Sequence, residues 1–183
     1  MATAVKLMTA EEYWLLPDQG QPTELVRGRI VTMNMPAPRH GEICANTVYI
    51  VRSHLDTNDV GRVVSNDSGV VTERDPDTVR GGDVGFYSYK RVSKGRLPPG
   101  YLTVSPDVVF EVRSPGDRWR EILAKVAEYL AAGVLRVCVL DQQTETITVY
   151  SPDEPEVKLT RDQELVLPDI LPGFGVRVDR FFA

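Results

Sequence analysis

The sequence predicts an α/β fold, a central mixed β-sheet flanked by α-helices with an additional helix and hairpin at the N-terminal end. Two observations carry that prediction. From Asp83 to Leu140 the order reads strand, loop, strand, helix, strand, which places helices on the faces of a mixed sheet. Within it, Asp107-Val108-Val109-Phe110-Glu111-Val112 is almost continuously apolar, as a central strand covered on both faces must be. At 183 residues the chain has room for one well-buried core and too little for two ordinary domains.

The elements follow in order. Thr9-Ala10-Glu11-Glu12 has the form of a capping box and predicts a short helix toward Leu16, stopped by Pro17. Glu24 to Met33 reads as a hairpin turning near Arg27-Gly28. After Pro36 and Pro38, the spacing of Ile43, Val48, Val51 and Leu55 predicts a helix from His40 to about Asn58. Arg62 to Thr72 is valine-rich with Gly69 inside, a strand bulged at the glycine. A connection from Glu73 to Gly81 leads to a strand from Gly82 to Tyr89. Lys90 to Ser105, with Gly95, Pro98, Pro99 and Gly100, predicts an exposed loop of a length that usually has a function. Asp117 is placed to cap a helix from Arg118 to about Ala132, closed by Gly133. Leu135–Leu140 and Thr146–Tyr150 follow as strands, and the C-terminal part holds short ones.

Composition narrows the function classes. No apolar run approaches the roughly 20 residues that span a membrane. Met1 to Thr9 lacks the apolar core of a secretory leader, so a cytoplasmic location is expected. Cys44 and Cys138 sit far apart in apolar surroundings and read as buried thiols, and two histidines are too few for a histidine-rich zinc site. The net charge of −5 gives no bulk attraction for nucleic acid. Locally the sign reverses: between Val84 and Ser105 the only charged residues are Lys90, Arg91, Lys94 and Arg96, either a phosphate-binding loop or a solvated one.

Two acids stand where strands bury them. Glu111 interrupts Val-Val-Phe-x-Val, where an ionised carboxylate costs several kcal/mol unless it meets a cation or donors. Alternation puts Val109, Glu111 and Arg113 on one face, so a Glu111–arginine ion pair is the plain alternative. Asp83 opens its own short apolar strand and taken alone could be a turn residue. Together they are hard oxygen ligands suited to Mg²⁺ or Mn²⁺, with substrate phosphate and water completing the shell. Such an ion activates water for attack on a phosphoryl group. Lys125, at the edge of the apolar helix face beside Tyr129, is the candidate for a nearby ammonium; its alternative is a surface pair with Glu121 one turn earlier.

These residues carry a resemblance. Glu24-Leu25-x-x-Gly28, Pro38-x-His40, Asp83, Pro106-Asp107-x-x-x-Glu111-Val112-x-Ser114-Pro115, Lys125-x-x-x-Tyr129-x-x-x-Gly133-Val134 and Leu171-Pro172-Gly173-Phe174 resemble the Uma-two family, described as putative restriction endonucleases. The likeness runs from about Thr9 to Phe182, and the block from Pro106 to Val134 is its most specific part. It implies the PD-(D/E)XK nuclease fold in one domain over residues 1–183, with a core at about 40–150, a helix-hairpin at 9–34 and strands at 155–182. It implies a metal-dependent endonuclease for DNA, with Asp83 and Glu111 as the motif acids holding Mg²⁺ or Mn²⁺. Two positions depart from the motif: Gly82 stands where proline precedes the first acid, and Arg113 where lysine follows the second. Lys125 matches the position to which the family moves that lysine. Glu24 would be a further metal or water ligand, and His40 would cap its helix or touch phosphate. An inactive nuclease-fold module that binds nucleic acid is the alternative, which the acid pair disfavours because acids repel phosphate. Cutting both strands of a duplex suits a homodimer.

Overall fold

The computed structural model describes residues 6–17 and 20–183, so residues 1–5 of the N-terminal stretch read above lie outside the described residues. Helix α1 (Ala10–Trp14) is set by the predicted box, with Thr9 Oγ1 accepting the Glu12 N–H and Glu12 answering on the Thr9 N–H. Strands β1 (Thr23–Val26) and β2 (Arg29–Thr32) turn on Arg27 and Gly28, both left-handed at φ 50° and 72°, as a two-residue hairpin requires. Helix α2 (Pro38–Thr57) begins two residues earlier than expected, because Pro38 is well suited to a first helical turn that needs no donor from it.

Strands β3 (Gly61–Glu73) and β4 (Thr78–Ser88) form a long hairpin. Beyond a loop spanning residues 89–107 come β5 (Val108–Arg113), α3 (Trp119–Ala131), β6 (Arg136–Asp141) and β7 (Thr146–Tyr150). Short strands β8 (Val157–Leu159), β9 (Glu164–Val166) and β10 (Gly175–Arg177) follow, then a 3-10 turn (Val178–Phe181). The main sheet has the order β2-β1-β4-β5-β6-β7-β8, with β3 on the other edge of β4. Only β5 and β6 run parallel, joined across α3, and the mixed sheet predicted from the sequence is the one found.

The sheet is packed on both faces. Val108, Phe110 and Val112 of β5 meet Ile43, Val51 and Leu55 of α2, and the C-terminal Leu171, Phe174 and Phe181 close the same core. On the other face Val109, Val137 and Val139 pack against Ile122, Val126 and Tyr129 of α3. Each such buried side chain contributes about 1.5–3 kcal/mol. Strand β4 positions the site: Val84–Phe86 ladder with β5, whereas Val79 pairs with Leu25 of β1. Between those stretches, Gly81–Asp83 has no ladder partner on β5 or β1, which leaves a gap.

Three local expectations are corrected. The bulge in β3 lies between Ser65 and Ser68, at Asn66 and Asp67 (φ 69° and 51°), not at Gly69. Gly69 stays in the ladder, and a Cβ there would lie 2.3 Å from the Tyr101 ring. Asp117 does not cap α3: Arg118 is the N-cap, and Asp117 Oδ2 accepts the Ser114 N–H at 2.7 Å instead. His40 does not cap α2 either, since Ala37 holds that position. Gly133 (φ 91°) does close α3, Cys138 is buried and Cys44 half-buried, and both are free thiols. No helix among the described residues is long and apolar enough to cross a membrane.

Candidate active site

The gap where β4 leaves β5 collects five of the residues singled out above. The Val112 N–H, which has no ladder partner on β4, donates to Asp83 Oδ2 at 2.6 Å. The same oxygen lies 3.3 Å from His40 Nε2 on α2, while His40 Nδ1 is 3.5 Å from Cys44 Sγ. Burial pulls the His40 imidazole down, but Asp83 and Cys44 outweigh it and push it up to about 10, so the ring is cationic at neutral pH. His40, Cys44 and Asp83 have ligand atoms within 4.8 Å of one another. The ring offers a different nitrogen to each partner, which makes a hydrogen-bonded chain and not a chelate.

Glu111 is buried on the α3 side of β5. Its Oε1 accepts the Tyr129 hydroxyl at 2.7 Å, and its Oε2 lies 3.8 Å from Lys125 Nζ. Lys125 is closer to Glu24 Oε1, at 2.8 Å, and is not paired with Glu121. Glu24 also accepts the Gly81 N–H at 3.1 Å and Arg80 Nη1 at 2.8 Å, and Arg80 in turn holds Glu128 at 2.6 Å. Burial pushes the Glu24 carboxyl up, yet Lys125 and Arg80 hold it below its ordinary range. For Glu111 burial prevails, helped by Asp83 and Glu24 against Lys125, and its carboxyl is pushed up to about 8.

Asp67, Arg80, Glu128 and Tyr129 join this cluster without having been anticipated as site residues. Asp67 comes within hydrogen-bonding reach of Asp83, and burial with that neighbour raises its carboxyl. Its sequence signal was Asn66-Asp67 inside a valine-rich strand, where two turn-forming residues mark a bulge. Tyr129 had been read as part of an apolar helix face, and nothing in the sequence points to Arg80. Arg113 is elsewhere: Nη1 meets Asp141 Oδ2 at 3.1 Å, Nη2 donates to the Asp117 carbonyl, and the guanidinium lies over Trp119. In the basic loop Arg91 is spent on structure, donating to the carbonyls of Ser105, Pro106 and Gly133 and pairing with Asp107. Lys94 pairs with Asp59 and lies over Tyr89, whereas Lys90 and Arg96 are exposed without a partner among the described residues.

The acids therefore gather where the mixed sheet opens between its two helix-packed faces. The crystal structure of a putative nuclease from Anabaena variabilis superposes at a TM-score of 0.81 over 96% of this chain and 97% of that one, with 18% identity, and shares this fold. Among curated proteins none matches. The chain belongs to the Uma2 family, described as "Putative restriction endonuclease", which it matches over residues 10–179.

Proposed function

We propose that the protein is a metal-dependent nuclease that hydrolyses phosphodiester bonds of DNA, with Asp83, Glu111 and Lys125 at its centre. The observation that carries this reading is the imbalance of charge in the gap. Five carboxylates (Glu24, Asp67, Asp83, Glu111, Glu128) face three cations (His40, Arg80, Lys125), an excess of two acids made only of oxygen donors. Burial first, and then the neighbouring acids, raise both Glu111 and Asp67, a cost that a further cation would relieve. A divalent ion with hard-ligand preference, Mg²⁺ or Mn²⁺, fits such a donor set, held by Asp83 and Glu111.

When bound, the ion would supply activation of a water and neutralisation of charge on the phosphoryl group. The chain's own groups orient the parts. Tyr129 fixes Glu111 through Oε1, so Oε2 is the oxygen left toward Lys125. Glu24 holds the Lys125 ammonium within reach of the same gap, where a compact cation can stabilise an anionic transition state. His40 and the Val112 N–H hold Asp83 in place from two sides. Of the basic loop, Lys90 and Arg96 are the groups available for phosphate.

The reading is tested by incubating supercoiled plasmid, linear duplex and single-stranded DNA with Mg²⁺ or Mn²⁺. Metal-dependent products are expected, and direct linearisation of plasmid would indicate two centres acting together in a homodimer. A well-folded sample inert on all three would overturn the reading. Metal alone should also raise the melting temperature, by the equivalent of about 2.7 kcal/mol at a hundred times its Kd. Calorimetric titration without heat at millimolar metal would remove the ion from the site. For the loop, replacing Lys90 and Arg96 with Ser should flatten the slope of log affinity against log salt by about 1.8, near 0.9 per phosphate contact. An unchanged slope would return both residues to solvent. Arg91→Ser should instead lower the melting temperature, because it frees four anchored contacts of the loop.

A further inference from the structure

Two cavities open beside the acid cluster, and Asp67 lines both. The larger, about 620 Å³, runs along α2 and reaches the cluster at His40, Asp67 and Asp83. The other, about 390 Å³, lies between α1, the loop of residues 89–107 and the β3–β4 hairpin. We propose that this second cavity receives one nucleobase of the nucleic-acid substrate, unstacked from its neighbours, beside the phosphate at the acid cluster. The inference rests on the nuclease reading and adds a base-binding site to it.

The walls are built for a flat aromatic ligand. Tyr101 lies stacked with Tyr13 at 6.3 Å and 21°, and edge-on to Trp14 at 5.6 Å and 73°. Tyr13 is itself fixed by donating its hydroxyl to the Thr23 carbonyl at 2.7 Å. The rings are therefore preorganised, and little ordering remains to be done on binding. Gly69 lets the Tyr101 ring sink against the sheet, and Gly81, whose N–H is held by Glu24, forms part of the floor. The packing of α1 on the loop does not close the space between them. Instead the cavity stays open and Trp14 is 51% exposed. The exposed face of Trp14 adds to the aromatic lining of an open cavity, the kind of lining that ligand sites have.

The rim suits a nucleotide as well. Asp67 and Ser68 from β3 and Thr23 from β1 set polar groups on either side of Gly81, and base edges carry donors and acceptors for such groups. Leu97 forms part of the wall, and the residue before it, Arg96, is an exposed cation without a partner among the described residues, a group for backbone phosphate. A volume of 390 Å³ falls within the range of roughly 300–1,000 Å³ found for small-ligand sites. Because Asp67 touches both cavities and reaches Asp83, a base held here would leave its own backbone next to the candidate metal centre.

Stacking on an aromatic side chain is worth about 1–3 kcal/mol per base, or roughly 5- to 150-fold in affinity. The test uses a short fluorescein-labelled single-stranded DNA and a series in which each base in turn is replaced by an abasic site. Affinity for Trp14→Ala, Trp14→Phe and the parent protein is read by anisotropy with Ca²⁺ in place of Mg²⁺. In the parent, one abasic position should weaken binding by roughly 5-fold or more. Trp14→Ala should bind the intact strand about that much more weakly and be indifferent to the abasic position, a coupling that lost packing alone would not produce. Trp14→Phe should keep most of the affinity, and under Mg²⁺ the alanine variant should raise KM more than it lowers kcat. Should Trp14→Ala fail to fold, the abasic series on the parent and on Trp14→Phe decides. A parent that binds and cuts DNA but is insensitive to every abasic position overturns the base site and leaves the nuclease reading standing. A parent that neither binds nor cuts overturns both.

Discussion

Glu111→Gln is expected to abolish cleavage while making the metal-free protein harder to unfold at alkaline pH. Glu111 is 4% exposed, and burial together with Asp83 and Glu24 pushes its carboxyl from 4.5 up to about 8 against the pull of Lys125. The folded chain thus keeps this proton where the unfolded chain has lost it. Stability from that difference is fully present below pH 4.5, declines as pH rises, and is gone above about pH 8. Glutamine keeps the shape and has no proton to lose. Parent and variant should therefore melt together near pH 4.5 and separate as pH rises, at up to about 1.4 kcal/mol per pH unit. In a chain of this size each kcal/mol moves the melting temperature by roughly 2–4 °C. Cleavage should fall by about 100-fold or more, the scale of a lost transition-state contact. A variant less stable than the parent at pH 8.5 would show that the ionised carboxylate is already satisfied by the protein. One that cuts at the parent rate would take Glu111 out of the chemistry.

The legibility of this site in the sequence differs residue by residue. Glu111 stood out because an acid inside an unbroken apolar strand needs a cation or donors, and the sequence alone left a metal and an arginine partner both open. The face of α3 was legible from helical spacing, which set Lys125 beside Tyr129 at its edge. What Lys125 meets was not, because Glu24 comes from a hairpin far away in the chain and only the sheet order β1-β4-β5 brings it near. Asp67 was missed for a related reason. The position of a bulge depends on the register of β3 against β4, and the glycine that drew attention serves to admit the Tyr101 ring. The basic loop looked uniform in sequence, yet Arg91 faces carbonyls of the loop and helix ends while Lys90 and Arg96 face water. Charge alone cannot separate those fates, since burial and partners are properties of the packed chain.

Lys125→Met and Arg113→Met should separate chemistry from architecture, with opposite orders of effect on turnover and on stability. The superfamily motif would give Arg113 the catalytic cation, two residues beyond Glu111, but its guanidinium is committed to Asp141, the Asp117 carbonyl and the Trp119 ring. Removing it leaves the buried Asp141 with the Gln143 N–H and no cation, a loss of up to about 3–5 kcal/mol, while molecules that remain folded should turn over near the parent rate. Lys125 is half-buried, 2.8 Å from Glu24 and 3.8 Å from Glu111. Methionine keeps the packing of its stem, Glu24 retains Arg80 and the Gly81 N–H, and Glu111 takes its proton more firmly. The stability loss should therefore be smaller, about 1–3 kcal/mol, and should grow as pH rises. Turnover should fall by roughly 100-fold or more, because the ammonium facing the gap is gone. Cleavage rates per folded molecule, set beside melting curves at pH 6 and pH 8.5, give both orders in one experiment. A Lys125→Met protein that cuts normally, with Arg113→Met folded but inactive, would move the catalytic cation to Arg113 and make the Glu24–Lys125 pair a structural clamp.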